Sequence, residues 1–422
     1  MKPEELFQKL LGLGDGWEII ESSYVEAENR FILRVREKAS LWEGERCPHD
    51  GEAGITCYDH VAEMRWRHLN VFNKACDLVC ALPRGRCPRC GKVYRVTPPW
   101  EGRSGNFTTE FEAFALTLMK QMPVKNAAEI MGETDTRMWR ILLKHVDDAH
   151  HKLSMEEVTC VGVDETSRAR GHQYVTVFCD LVSRRVVYAT PGKDASTWEE
   201  FAKALLAHNG HPHALTHVSM DMSAAYVKGV AENCRNAKVV FDKFHLLQYA
   251  GKAVDQVRRR EVRAGDESQQ KALFRSRWLW LKNPENLTDK EKAQMERIDL
   301  HMLDTAKAYQ MRLVLQRIYQ SETAKTAADR LGRWCRWVRR LVARKPNSPL
   351  AAMLKVAKLI EKYSTGILAH WDGYLTNAYL EGLNSVFSAV KRRARGYRTS
   401  RYLIAMLYFV AGKLPDPKPL FH

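Results

Sequence analysis

Five short β-prone runs lie between Val158 and Asp242, with helical stretches only after the third, and this order constrains the chain more than any other feature. Residues 158–164, 174–179 and 185–189 carry the β-branched and aromatic residues of strands. Short polar breaks separate them, as in an antiparallel meander. A helical stretch over 196–207 follows, then the run THVSMD ending at Asp221, the helical AAYVKGVAENC, and KVVFD ending at Asp242. The first run ends on an acidic pair, Asp164 and Glu165. Side chains alternate along a strand, so the two point to opposite faces, and Glu165 is expected at the surface or in a salt bridge. Asp180, closing the second run, reads as structural.

Three meandering strands followed by helix–strand–helix–strand is the order of an RNase H-like fold, in which the first and fourth strands are neighbours. Asp164 and Asp221 then meet at adjoining strand ends. Carboxylates held that close repel unless they share a cation. Oxygen-only ligation suits Mg²⁺ or Mn²⁺, and two such ions support in-line phosphoryl displacement. A third carboxylate, Glu381, lies in TNAYLEGLNSVFSAVKRRARG, with Asn384 one turn on along the same helical face. The basic run Lys391, Arg392, Arg393 and Arg395 extends that helix toward substrate phosphates. His245, in DKFH, either contacts DNA or a phosphate, or packs as a hydrogen-bonded histidine.

The chain has 422 residues, 45% hydrophobic, and a net charge of +16, which points to a globular multidomain protein with a polyanionic partner. No run approaches the ~20 apolar residues of a membrane span, and the N-terminus lacks the apolar core of a secretory signal. A cytoplasmic, nucleoid-associated protein is expected. The segment RWCRWVRRLVARK interleaves Trp334 and Trp337 with basic residues, as a nucleic-acid groove requires. The alternative is a solvated helix face with its Trp side chains in the core.

Ten cysteines in such a compartment read as metal ligands and buried thiols, not as a disulfide framework. CPRCG places Cys87 and Cys90 in a compact zinc knuckle whose Gly91 permits the tight turn. The partner knuckle is CPHDG, with Cys47 followed by Asp50 where a second Cys is expected. His49, Cys57 or Asp50 itself would complete a Zn²⁺ set; the alternative is a degenerate ribbon held by its core. Cys76 and Cys80 are expected to be buried apolar residues. Downstream, a helix over 124–131 stops at Gly132 and a second begins at Thr134–Thr136, residues suited to capping. Met138, Ile141, Leu142 and Val146 form its apolar stripe, with Arg137, Arg140 and Lys144 outside. This is a helix-turn-helix pattern, or an ordinary αα-hairpin.

Taken in order, CYDHVAEMRWRHLN, RCPRCG, the helix-turn-helix, GVDETSRARGHQYVTVFCDL, SMDMSAAY, DKFHLLQ and LEGLNSVFSAVKRRARGY resemble a DDE transposase of bacterial insertion sequences, of the ISL-three branch. The resemblance spans most of the sequence, and Asp50 departs from its zinc knuckle. It implies a catalytic triad of Asp164, Asp221 and Glu381, with an all-helical insertion between the last two. The fold class expected is α/β: an RNase H-like core with that insertion, preceded by a zinc-ribbon-like region and a helix-turn-helix. The segments are 1–105 (ribbon), 106–155 (helix-turn-helix), 156–250 (first part of the core), 251–370 (insertion) and 371–422 (the helix bearing the catalytic Glu). The implied activity is binding of terminal inverted repeats, metal-dependent DNA cleavage and strand transfer into target DNA. The partners are double-stranded DNA and further copies of the chain, as a homodimer or larger assembly. Two rivals are a catalytically inactive, transposase-derived DNA-binding regulator and an RNase H-like nuclease.

Overall fold

The computed structural model describes residues 2–169, 173–298, 303–345, 347–372, 378–394 and 396–415. It divides into two compact units, Met1–Leu153 with Phe387–His422, and Ser154–Val386. No described helix is long and apolar enough to cross a membrane.

In the first unit, among the described residues, seven strands form two sheets: β1 (Trp17–Val25), β2 (Arg30–Glu37), β3 (Thr56–His60), β4 (Met64–Val71), β5 (Lys74–Cys80), β6 (Pro83–Arg86) and β7 (Val93–Arg95). The larger sheet runs β1-β2-β5-β4 and the smaller β3-β6-β7. Phe72 and Asn73 both adopt positive φ at the β4–β5 turn, the backbone of a tight two-residue hairpin. Asn suits that conformation; Phe72 adopts it in open solvent, 88% exposed. The large sheet's core gathers Trp17, Trp66 and Trp100, whose rings meet edge to face at 4.9 and 6.0 Å. Cys76 and Cys80 are buried in it, as expected from the sequence, and burial pushes both thiols up to about 12.

Three helices follow: Thr109–Gln121, Val124–Met131 and Asp135–His151. Gly132 ends the second in the left-handed region, and the Thr134 hydroxyl accepts from the Arg137 N–H to cap the third. Met138, Ile141, Leu142 and Val146 are buried, so the apolar stripe is the packed face. Buried Arg67 of β4 donates to the Met131 carbonyl at 3.1 Å and pairs with Glu133 at 3.4 Å, tying sheet to turn. Trp139 stacks on Tyr402, 4.2 Å between ring centres, so the helix Ser400–Ala411 packs on Asp135–His151 within this unit.

In the second unit, the described strands are β8 (Cys160–Ala169), β9 (Gln173–Asp180), β10 (Arg185–Pro191), β11 (His217–Met220) and β12 (Lys238–Phe241), in the sheet order β10-β9-β8-β11-β12. The first three pair antiparallel, while β11 is parallel to both β8 and β12. The first strand differs from expectation: it does not end at Asp164 but continues to Ala169, because pairing with β9 persists where pairing with β11 stops. One face carries Phe178 against Trp198 and Phe201 of the helix Ser196–Ala207. The neighbouring helix Ala224–Asn233 approaches so closely that a Cβ at Gly229 would lie 2.4 Å from the Trp198 ring.

Asp242 caps the long helix Lys243–Ala264 by accepting from the Phe244 N–H at 2.8 Å. The tract beyond holds helices and no strand among its described residues, including Asp304–Ile318, Ala324–Ala343 and Ala351–Lys362. Buried Glu261 accepts from the N–H groups of Asp304 and Thr305 at 2.7 and 2.8 Å, neutralising the open end of one helix with a side chain of another. Trp334 is fully buried and donates to the Met311 carbonyl at 2.9 Å. It is therefore a core residue and not groove surface, although Arg333, Arg336 and Arg340 beside it are exposed.

Candidate active site and zinc knuckle

The register of β8 with β11 pairs Cys160 with His217, Val161 with Val218 and Gly162 with Ser219. Carried two residues further, past the end of β11 at Met220, this register would bring Asp164 level with Asp221. Each aspartate accepts a 2.6 Å hydrogen bond from the next residue's amide, Glu165 and Met222 respectively. The helix Lys243–Ala264 backs the second of them. Tyr249 donates its hydroxyl to Asp221 Oδ2 at 3.4 Å, and His245 Nδ1 lies 3.8 Å from Asp221 Oδ1. The other ring nitrogen of His245 lies 3.9 Å from Asp242 Oδ2. His245 is thus placed between two strand-end carboxylates. Asp180 accepts from the amides of Val182 and Ser183 at 3.0 and 3.2 Å, a turn-stabilising role.

Of the surface and salt-bridge readings of Glu165, the structure disfavours the first. The side chain is half-buried, hydrogen-bonded to Tyr226 and near Lys193. Burial raises its pKa, Tyr226 and Lys193 oppose that, and the Asp164 and Asp221 charges add to the rise. Its strand partner Thr176 contacts the same Tyr226 hydroxyl at 2.9 Å. The alternation that takes Glu165 away from Asp164 turns it toward packed helices, because this sheet is covered on that face.

Glu381 and Asn384 lie on the helix Ala378–Ala394, but their side chains fall outside the described residues, as do those of Arg393 and Arg395. Lys391 is half-buried; Arg392 is exposed and donates to the Ser388 carbonyl of its own helix at 3.3 Å. On the helix Asp135–His151, Arg137 pairs with Glu133 at 2.6 Å and lies over the Phe107 ring at 4.5 Å. Arg140 and Lys144 are exposed one turn apart, Lys144 with Asp148 at 2.9 Å.

The two knuckles have the same local geometry. In each, the cysteine carbonyl accepts from the glycine four residues on (Cys47 with Gly51 at 2.9 Å, Cys87 with Gly91 at 3.1 Å), and both glycines have φ near +70°. Ligand atoms of Cys47, Asp50, Cys87 and Cys90 all lie within 4.8 Å of one another. Cys47 Sγ is 3.7 Å from Cys90 Sγ, and Cys87 Sγ is 3.7 Å from both Asp50 oxygens. A tetrahedron with ~2.3 Å zinc–sulfur arms has edges of about 3.8 Å, so the donor set fits the ion. His49 and Cys57, the other candidates for the fourth ligand, stand outside this cluster. The pseudo-symmetric turn delivers position 50 and not position 49 to the centre, and Cys57 groups instead with Glu37 and His60.

A family model described as a transposase matches residues 161–407, more than half of the chain. The chain belongs to the ISL3 family of transposases. A helix-turn-helix domain of transposase family ISL3 matches residues 96–146. A zinc-finger of transposases IS204, IS1001, IS1096 and IS1165 matches 43–93, which spans both knuckles. The transposase for insertion sequence element IS1557 of Mycobacterium tuberculosis is 28% identical over 454 residues, covering 98% of this chain and 97% of that protein. The transposase for IS1001 of Bordetella parapertussis is 26% identical over 407 residues, covering 93% and 94%.

Within this ISL3 transposase, the sequence reading missed Tyr226 and Tyr249. Tyr249 had a signal, since it stands four residues after His245 in DKFHLLQY and so shares its helical face. Tyr226 had none, because only the fold brings it to Glu165.

Proposed function

We propose that this transposase binds the terminal inverted repeats of its own insertion sequence, cleaves DNA at the element ends and joins the freed 3′ ends to target DNA. Asp164, Asp221 and Glu381 are its catalytic carboxylates. The observation that carries this reading is the parallel register of β8 with β11, which runs toward Asp164 and Asp221, inside the region that the transposase model matches. The sheet order β10-β9-β8-β11-β12 supports an RNase H-like core, with residues 251–370 as a helical insertion and the segment 371–422 returning Glu381 to the core.

The carboxylates offer only oxygen, which suits Mg²⁺ or Mn²⁺. Bound there, two such ions supply an activated water or 3′-hydroxyl and stabilise the leaving oxygen. Asp164 and Asp221 hold the site. Tyr249 and His245 orient the Asp221 carboxylate, and Lys391, Arg392, Arg393 and Arg395 neutralise DNA phosphates. The knuckle of Cys47, Asp50, Cys87 and Cys90 holds Zn²⁺ and stiffens the ribbon, which recognises the element ends together with Arg137, Arg140 and Lys144. Handling two ends at once requires two or more copies on the DNA.

The test is a labelled fragment carrying the element's terminal repeat, incubated with the purified protein. Nicks at the element end and joined products should form with Mg²⁺ or Mn²⁺ and vanish with a chelator. Specific binding of the repeat without cleavage in either ion would instead favour the DNA-binding regulator.

A further inference from the structure

Outside the zinc knuckle and the carboxylate pair, three side chains of unlike chemistry converge at the edge of the first unit. An oxygen of Glu37, the sulfur of Cys57 and a ring nitrogen of His60 lie within 4.8 Å of one another. Glu37 is the last residue of β2 in the four-stranded sheet, while Cys57 and His60 belong to β3 in the three-stranded one. Residues three apart on a regular strand point to opposite faces. Here the pairing of β3 with β6 shifts between Cys57 and Asp59, and this bulge turns Cys57 and His60 to the same side.

The Glu37 carboxylate supplies a second observation. His60 Nε2 lies 2.6 Å from its Oε1, yet Oε2 is buried with no hydrogen-bond partner, and the side chain is only 14% exposed. A buried carboxylate oxygen without a donor is costly and marks a place where an ion or a water belongs. A His–Glu pair alone would use one oxygen and ignore the thiol that the bulge brings beside it.

We propose that Glu37, Cys57 and His60 form a second transition-metal site, of zinc class, separate from the knuckle. One thiolate, one imidazole and one carboxylate are ligands zinc accepts, at ~2.3, ~2.0 and ~2.1 Å respectively. The three ligand atoms already lie within 4.8 Å of one another, and Cys57 is exposed, so an ion can enter from solvent. The ion bolts the ribbon's sheet to the four-stranded sheet, fixing one against the other. This inference does not depend on the catalytic assignment.

The test is the zinc content of the purified full-length protein. Wild type should carry two ions per chain, and Cys57→Ser, His60→Ala and Cys90→Ser should each carry one. An unchanged zinc content in Cys57→Ser and His60→Ala would overturn the proposal. An ion lost in Cys57→Ser but kept in Cys90→Ser would support this site and sink the knuckle assignment instead. Alkylation of wild-type Cys57, followed by peptide mass, needs no variant: stripping the zinc with a chelator should speed it at least about tenfold, and Zn²⁺ added back should restore the slower rate. An unaltered rate would contradict the site.

Discussion

The Tyr249 hydroxyl donates to Asp221 Oδ2 at 3.4 Å, from a helix that starts immediately after the neighbouring strand β12. Asp221 is thereby oriented from behind by a residue 28 positions away in sequence. Burial and the Asp221 charge both raise the phenol's pKa, so the hydroxyl stays protonated and remains a donor at neutral pH. Tyr249→Phe should lower single-turnover cleavage about 10- to 100-fold, the range expected when a ligand's orienting partner is lost. Repeat binding, read by gel shift, should not change.

Arg140 and Lys144 are exposed on the second helix of the helix-turn-helix. Replacing either by Ala should weaken binding to the terminal repeat. If a replaced side chain contacts a phosphate, the slope of log affinity against log salt should fall by about one for each. Titrations at several salt concentrations measure this, and Lys203→Ala, at an exposed position of the helix Ser196–Ala207 in the second unit, serves as the control.

Asp50 contributes the single oxygen to an otherwise thiolate knuckle. Asp50→Cys should keep zinc and tighten it, since a fourth thiolate suits the ion. Cys87→Ser should release zinc and lower the melting temperature. Competition with a chromophoric chelator ranks the variants.

His68 is buried beside Arg67, and burial first, then the Arg67 charge, depresses its pKa from 6.5 to about 4. The folded state keeps the ring neutral while the unfolded chain takes up a proton. The contribution of His68 is therefore complete above pH 6.5 and lost as pH falls from there toward 4, on the order of 3 kcal/mol in all. Denaturant unfolding at pH 7, 5.5 and 4 should show that loss in wild type. His68→Gln should flatten the difference across the same window.

Much of this architecture was legible because it rests on local chemistry. The order of the five runs predicted the sheet topology, the Gly132 stop and Thr134 cap predicted the two helices, and CPRCG predicted a knuckle. What stayed hidden depends on contacts between distant segments. The extension of β8 beyond Asp164 follows from its pairing with β9, and the burial of Trp334 follows from the helix Asp304–Ile318 beneath it. Whether Glu165 lay at the surface or in a salt bridge stayed open, because alternation gives the face and not what covers that face. Asp50 could be weighed against His49 and Cys57 only once the two knuckles superposed as turns.

The central claim is that Asp164 and Asp221 together hold the ions that drive DNA cleavage. The most direct measurement replaces each in turn by Asn and follows end cleavage in Mg²⁺ at protein concentrations where repeat binding is saturated. Each substitution should reduce cleavage by at least about 10³-fold while leaving the bound complex intact. Cleavage at the wild-type rate by either Asn variant would contradict the assignment.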